Sequence, residues 1–228
     1  MFFMFPELKV HFFNNLSTPV SAEFNMACDE ALLQRIKLPW LRIYNWQEIT
    51  ESIGYFMPSV NRDKYGLPWV RRWTGGGVVM HGQPDETTFS LGFPYAFISQ
   101  QSSSRRYYHE IHKRVQAVLI QQGVPCEMIS NESTDLGELA CFKKAVSSDL
   151  VNPDSGRKIV GGALRRTRDG LLYQGSIQGV FLPENFGLAL AASLALEVED
   201  LTINSEVEEL AAILAVDKYS SLEWKYAR

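Results

Sequence analysis

Arg71-Arg72-Trp73-Thr74-Gly75-Gly76-Gly77-Val78-Val79-Met80-His81 carries two cations directly into a triple glycine that opens onto an apolar strand. Three consecutive glycines remove every Cβ from the turn, so backbone N–H groups can approach a ligand closely. Guanidinium groups beside them can hold a phosphate or carboxylate by paired hydrogen bonds. Taken alone, the triplet also suits a glycine-rich turn or bulge next to solvated arginines. A second cluster, Gly156-Arg157-Lys158-Ile159-Val160-Gly161-Gly162-Ala163-Leu164-Arg165, follows about eighty residues on and leads to Gly170-Leu171-Leu172-Tyr173-Gln174-Gly175-Ser176-Ile177. Two clusters of cations and glycines in one chain shift the reading toward a binding site.

Working outward, Ser21 is a possible N-cap, and Phe24, Ala27, Ala31 and Leu32 recur at helical spacing, which predicts an amphipathic helix over 21–36. Strands are expected over 40–44, 51–56, 78–81 and 87–93, with Leu67 to Arg72 leading into the glycine loop. Tyr108, Ile111, Val115, Val118 and Leu119 predict a helix over 104–122, stopped by Gly123 and Pro125 and packed across a sheet. Asp149-Leu150-Val151, the turn Asn152-Pro153-Asp154-Ser155-Gly156 and the run 158–164 predict a hairpin, followed by a strand over 171–180. Alanine- and leucine-rich stretches at about 184–196 and 204–215 read as helices. Strands and helices alternate without βαβ regularity, so the expected class is α+β: a mixed, largely antiparallel sheet with flanking helices. Neither an internal repeat nor an interdomain linker stands out, so one domain is expected over 1–228, with a helical C-terminal part at about 184–228.

At 228 residues and 46% hydrophobic composition the chain can bury one substantial core. No run approaches the roughly 18 apolar residues of a membrane span, and Met1-Phe2-Phe3-Met4-Phe5-Pro6 lacks the basic flank of a secretory signal, so a cytoplasmic protein with no membrane partner is expected. The net charge of −4 argues against nucleic acid as a partner, but charge is segregated. Between Cys141 and Gly175 seven cations face three anions, whereas from Phe181 to Arg228 nine anions face three cations. The basic region suits an acidic protein partner or an anionic adenylate; the acidic tail suits a solvated helical face. Cys28, Cys126 and Cys141 form no C-x-x-C pair or dense framework, which argues against disulfides and a zinc site. His109 and His112 have no identifiable further ligands, and no metal residue is assigned.

With Glu23-Phe24-Asn25-Met26-Ala27-Cys28-Asp29-Glu30 and Leu41-Arg42-Ile43-Tyr44-Asn45-Trp46 ahead of them, the two clusters occur in an order that resembles the lipoate-protein ligase and octanoyltransferase family, related to biotin-protein ligases. The resemblance covers about residues 15 to 180 and implies a biotin/lipoate protein ligase catalytic-domain fold. It implies an acyltransferase of lipoate biosynthesis and protein lipoylation. The octanoyl or lipoyl group would come from an acyl carrier protein thioester and go to a lysine of lipoyl domains, in 2-oxoacid dehydrogenases or the glycine cleavage protein. The cysteine-dependent transferases hold their nucleophile in an Ala-Cys-Phe context, as in Ala140-Cys141-Phe142, and need no cofactor. The alternative within the family is an ATP- and Mg-dependent ligase acting through lipoyl-adenylate. Outside enzymology, the alternative is an inactive relative that binds lipoyl or carrier domains.

The resemblance carries a role at the acyl carbonyl onto Lys158. An ammonium on a strand beside small residues can meet a carbonyl oxygen as charge develops, and Gly161, Gly162 and Ala163 leave it room. Cys141 is the expected nucleophile, with Lys143, Lys144 or Lys158 near enough in sequence to favour its thiolate. His81 matches the family's Thr-Gly-Gly-x-x-x-x-His pattern and is expected to orient the acyl or pantetheine end, transfer a proton, or serve structurally. Arg72, Thr74, Gly75, Gly76 and Gly77, together with Gly175 and Ser176, are expected to line the substrate channel, with Val78, Val79 and Met80 as apolar wall. The chain departs from the pattern at Gln174, where many relatives have histidine, and only about 45 residues follow Val180, fewer than the accessory domain of many ligases would need.

Overall fold

Every side chain of the strand Trp40–Trp46 (β2) is buried except the half-buried Asn45, as expected of a strand with a layer on each face. The structure, a computed structural model, describes residues 9–59, 66–130 and 146–227. Leu41 and Ile43 enter one core with Phe12, Phe89, Leu91 and Phe93, while Trp40 and Tyr44 enter a second with Met26, Ala31 and Leu32.

In chain order the elements are Lys9–Val20 (β1), Ala22–Arg35 (α1), β2, Thr50–Ile53 (β3), Trp69–Arg71 (β4), Val78–His81 (β5), Glu86–Pro94 (β6) and Ser104–Gln121 (α2). Glu127–Met128 (β7), Leu150–Val151 (β8), Lys158–Arg166 (β9), Gly170–Gln178 (β10), Phe186–Leu194 (α3), Glu197–Asp200 (β11), Ser205–Leu214 (α4) and Leu222–Lys225 (α5) follow. The large sheet runs β11-β1-β2-β6-β10-β9-β8-β7. β1 is parallel to both neighbours, and the other pairs are antiparallel. This is the mixed, largely antiparallel α+β architecture expected. Tyr107, Ile111, Val115 and Leu119 of α2 and Leu190 of α3 cover one face; α1 and, outside it, Val207 and Ala211 of α4 cover the other. A small sheet, β4-β3-β5, stands on the α1 side, where the His81 ring stacks on Trp46 at 4.1 Å.

Local signals explain most of these elements. The Ser21 side chain accepts from the Phe24 N–H and starts α1, and α2 ends at Gln122, next to Gly123 with φ +81°. β1 and β11 were not expected, nor was the π-helical turn Ala215–Tyr219 that joins α4 to α5.

A buried polar knot fixes α1 to the sheet. Arg42, 1% exposed, donates to Asp29 Oδ1 at 2.9 Å and to Asn25 Oδ1 at 2.7 Å. Tyr44, Ser90 and Gln174 also donate to the Asp29 carboxylate, from β2, β6 and β10. A buried ion pair is tolerable when its remaining lone pairs and protons are satisfied in this way, and here it sets the back wall of the cavity described below. Among the described residues, no helix is long and apolar enough to cross a membrane.

Candidate active site

The glycine loop is held from inside by the arginines that precede it. Arg72 donates from one nitrogen to the Ser52 carbonyl and hydroxyl, each at 2.7 Å, and from the other to the carbonyls of Gly75 and Gly77, each at 2.9 Å. Arg71, fully buried, donates to the carbonyls of Gly54, Tyr55 and Met57 and to those of Trp224 and Lys225 in α5. Both guanidinium groups are thus engaged by backbone carbonyls of the protein, and some of these carbonyls also accept a backbone N–H, Gly54 from Met57 and Gly77 from Gly54. Gly76 has φ +85°, and its carbonyl comes so close to Gly54 that a Cβ there would lie 1.9 Å from it.

Between this loop and the α1 face of the large sheet lies a cavity of about 160 Å³. Met26, Tyr44, Trp46 and Val79 give it an apolar wall. Of the residues expected to line a channel, Arg72, Gly76, His81, Gly161, Gly162, Ala163, Gly175 and Ser176 are on its surface, as is Lys158. Thr74, Gly75, Gly77, Val78 and Met80 are not on that surface; Thr74 instead donates to Gln174 Oε1 at 2.8 Å. Cys141 lies outside the described residues, while Val146, five positions later, is on the cavity wall.

Lys158 lies flat across Gly161: a Cβ on Gly161 would meet Lys158 Cε at 2.2 Å and its Nζ at 2.5 Å, with the next nearest atom, Cδ of the same side chain, at 3.7 Å. Its ammonium is 2.8 Å from Asp149 Oδ2, and Asp149 is fully buried. The same carboxylate accepts from the Val146 N–H at 2.7 Å and from the Tyr108 hydroxyl at 2.5 Å, and Tyr108 in turn accepts from the Gly162 N–H. Burial, reinforced by Asp149, holds the Tyr108 phenol well above its ordinary value, so it stays a donor. Behind it the His112 ring lies 4.1 Å away, tilted by 30°, and bonds Tyr173 Oη at 2.8 Å. Burial pulls His112 down to about 3, offset only in part by the nearby Ser148 carbonyl, with which Nδ1 makes no well-formed hydrogen bond.

At the other end, His81 Nδ1 is 2.7 Å from Glu86 Oε1 and Nε2 is 2.6 Å from Ser52 Oγ. Glu86 also accepts from Thr88, Ser176 and the Gly82 N–H. Burial acts to raise the Glu86 carboxyl, but His81 and the hydrogen bonds from His81, Thr88 and Gly82 outweigh it and keep it below its ordinary value. Asp149, Tyr108, Ser52 and Glu86 carried no mark in the sequence, because each acquires its place only through residues distant along the chain. The thiols of Cys28 and Cys126 are pushed up to about 11 by burial, which leaves neither as a source of thiolate at neutral pH.

Residues 21–218 match the family described as the Lipoyl protein ligase A/B catalytic domain. The chain belongs to that family. A curated relative, Octanoyltransferase LipM of Oceanobacillus iheyensis, is 34% identical over 171 residues, which cover 71% of this chain and 61% of the relative. The same-named protein of Lysinibacillus sphaericus is 26% identical over 266 residues, covering 91% and 96%. The match to the O. iheyensis protein and to three others spans only about three fifths of those relatives' length. Among solved structures, a putative lipoate protein ligase from Thermoplasma acidophilum, protein Ta0514, superposes with a TM-score of 0.73 at 21% identity, over 97% of this chain and all of that one. It fits equally well when that protein carries bound lipoic acid, over 96% and 99%. At this identity the likeness speaks for the family's fold, including the mixed sheet with helices on both faces.

Proposed function

We propose that the protein transfers an octanoyl or lipoyl group from an acyl carrier protein thioester to a lysine of a lipoyl domain, through an acyl-Cys141 intermediate. The observation that carries the reading is the Lys158 ammonium on the cavity surface, held by a buried carboxylate and given room by Gly161. The names of the curated relatives support the acyl group, and the position of Val146 supports a cysteine five residues upstream as nucleophile. Cys141 Sγ attacks the thioester carbonyl, the carrier's C–S bond breaks and the carrier leaves as a thiol. Lys158 meets the carbonyl oxygen while it is negatively charged. The acceptor amine then attacks the acyl-cysteine, forming the amide and returning the thiol. No cofactor is needed, and the acyl chain rests against Met26, Trp46 and Val79.

Mass spectrometry after incubation with octanoyl-acyl carrier protein tests this directly. The expected result is an octanoyl mass increase on the wild type, absent from Cys141→Ala, that disappears when a lipoyl domain is added. An unchanged increase on Cys141→Ala removes that thiol. Pyrophosphate release from ATP and free lipoate, indifferent to Cys141→Ala, would select the adenylate route, and binding of a lipoyl domain without turnover from either donor would select an inactive relative.

A further inference from the structure

Asp149 immediately precedes β8, and its fully buried carboxylate is met from β9 by the Lys158 ammonium at 2.8 Å and from α2 by the Tyr108 hydroxyl at 2.5 Å. The proton on the phenol can be assigned. Tyr108 Oη accepts from the Gly162 N–H at 3.0 Å, so its own hydrogen goes to Asp149 Oδ1, which leaves Oδ2 for Lys158 and the Val146 N–H. The chain is bent to make this meeting. Ser148, just before Asp149, has φ +75°, alone among the described non-glycine residues in being positive, and His109 Nδ1 of α2 lies 3.1 Å from its Oγ. The β8–β9 pairing shifts register between Leu150 and Val151, and Lys158, opposite Val151, reaches across that shift to Asp149. Neither Asp149 nor Tyr108 is on the cavity surface, whereas Lys158 is. A buried ion pair adds little to stability compared with apolar residues of the same volume, so stability alone does not call for a cation here.

We propose that Asp149 and Tyr108 are positioning residues for Lys158, and that together they set the point in the cavity at which the acyl carbonyl oxygen is received; the proposal rests on the acyl transfer proposed above. An ammonium on a four-carbon stem is mobile, and a carbonyl oxygen gains most from a charge that is already in place when it turns negative. The stem is laid over Gly161, Asp149 holds the head, and Tyr108 holds Asp149. Gly162 belongs to β9, as Lys158 does, so the phenol fixes the carboxylate relative to the strand that carries the lysine. The carboxylate also draws the ammonium toward itself and away from the substrate, and these two effects oppose each other. Placement wins: a misplacement of about 1 Å can cost a hundredfold in rate. The pull of Asp149, by contrast, is shared among Lys158, Tyr108 and the Val146 N–H. Both residues act through Lys158, which is the group that meets the substrate.

The test is a double-mutant cycle read in octanoyl transfer from acyl carrier protein to a lipoyl domain. Tyr108→Phe should lower kcat about tenfold and Asp149→Asn about a hundredfold, with KM for donor and acceptor unchanged. In the Lys158→Met background the same two changes should alter kcat by less than about twofold, because the group they position is gone. Tyr108→Phe keeps the ring against His112, so it decides the question even where Asp149→Asn does not fold. Equal losses in the two backgrounds would make both roles structural and overturn the proposal. A raised KM at unchanged kcat would do the same by making them binding groups, and faster turnover in Asp149→Asn would do so by showing that the carboxylate restrains the cation. Wild-type protein that acylates no lipoyl domain would fail the transferase reading itself, whereas an active wild type with losses independent of Lys158 would fail the positioning alone.

Discussion

The two clusters of cations and glycines look alike in sequence and are used in opposite ways. In the first, Arg71 and Arg72 point their guanidinium groups into the protein and donate to loop carbonyls, so their charge shapes the turn. In the second, Lys158 lies on the cavity surface with one buried carboxylate beside it, and Gly161 gives its side chain room. The chemistry of the heads explains the division. A planar fork with five donors can satisfy several carbonyls at once, whereas a compact ammonium presents a point charge to one place. A cation beside glycines therefore marks either a loop that must be held or a charge that must be kept clear.

Removing each head is the strongest way to break this contrast. Arg72→Ala takes the guanidinium donors from the carbonyls of Ser52, Gly75 and Gly77, the last of which keeps the Gly54 N–H, and from the Ser52 hydroxyl, and is expected to cost about 3 kcal/mol in urea denaturation, with activity falling as a consequence. Arg72→Lys should recover little, because an ammonium cannot reproduce the fork. Lys158→Met should instead lower octanoyl transfer by about 10² to 10³, well beyond what its stability loss explains; that loss comes from the buried Asp149 carboxylate losing its cation and is eased by the Tyr108 and Val146 donors it keeps. An activity loss in Lys158→Met no larger than in Arg72→Ala at matched stability would erase the distinction.

The glycines sharpen it, because one methyl group asks a different question in each place. In Gly54→Ala the new carbon meets the Gly76 carbonyl at 1.9 Å, a backbone atom that can yield only if the loop moves, so a loss of about 3 kcal/mol is expected. In Gly161→Ala it meets only the flexible end of Lys158 within close range, at 2.2 Å. The fold should hold to within about 1 kcal/mol. Transfer should fall by up to about a hundredfold as the ammonium is displaced. Denaturation curves and initial rates on the two variants read both effects.

How much of this was legible follows from where the information sits. Ser21 and Gly123 announce helix ends because a cap or a stop is a local event. β1 escaped because Asn14-Asn15 and Ser17-Thr18-Pro19 read as loop, and only parallel pairing with β2 and β11, distant in sequence, makes the segment a strand. Lys158 stood out through its glycine neighbours, whereas Asp149 and Glu86 look like ordinary surface acids until the fold buries them. The arginine pair stood out in sequence, but nothing nearby says which carbonyls of the turn it would donate to.

The supports of the two clusters also differ in how they respond to acid. The first rests on guanidinium groups that keep their charge at any accessible pH, but the second is backed by His112, behind Tyr108. Because the folded His112 value is about 3, below the ordinary 6.5, the unfolded chain takes up its proton first. Stability from this site is complete above about pH 6.5 and is lost as pH falls toward 3, at no more than about 1.4 kcal/mol per unit. Urea denaturation at stepped pH should show that slope reduced in His112→Gln, which still offers Tyr173 a partner. An unchanged slope would place the acid sensitivity elsewhere.

The smallest effect is expected at Gln174, where the family resemblance led to an expectation of histidine and the side chain lines the cavity. Its amide works at both ends: Nε2 donates to Asp29 Oδ2 at 2.8 Å and Oε1 accepts from Thr74 Oγ1 at 2.8 Å. A neutral imidazole also offers one donor and one acceptor, so a histidine here could make the same two bonds between the polar knot on α1 and the start of the glycine loop. Gln174→His is therefore expected to change stability by less than about 1 kcal/mol and the transfer rate by no more than a few-fold. Gln174→Leu should cost more, because it leaves Thr74 without its acceptor and removes one of the donors to Asp29. A large rate gain in Gln174→His would mean that an imidazole at this position can transfer a proton. Equal rates would mean that either side chain serves to join the first cluster to the sheet that carries the second.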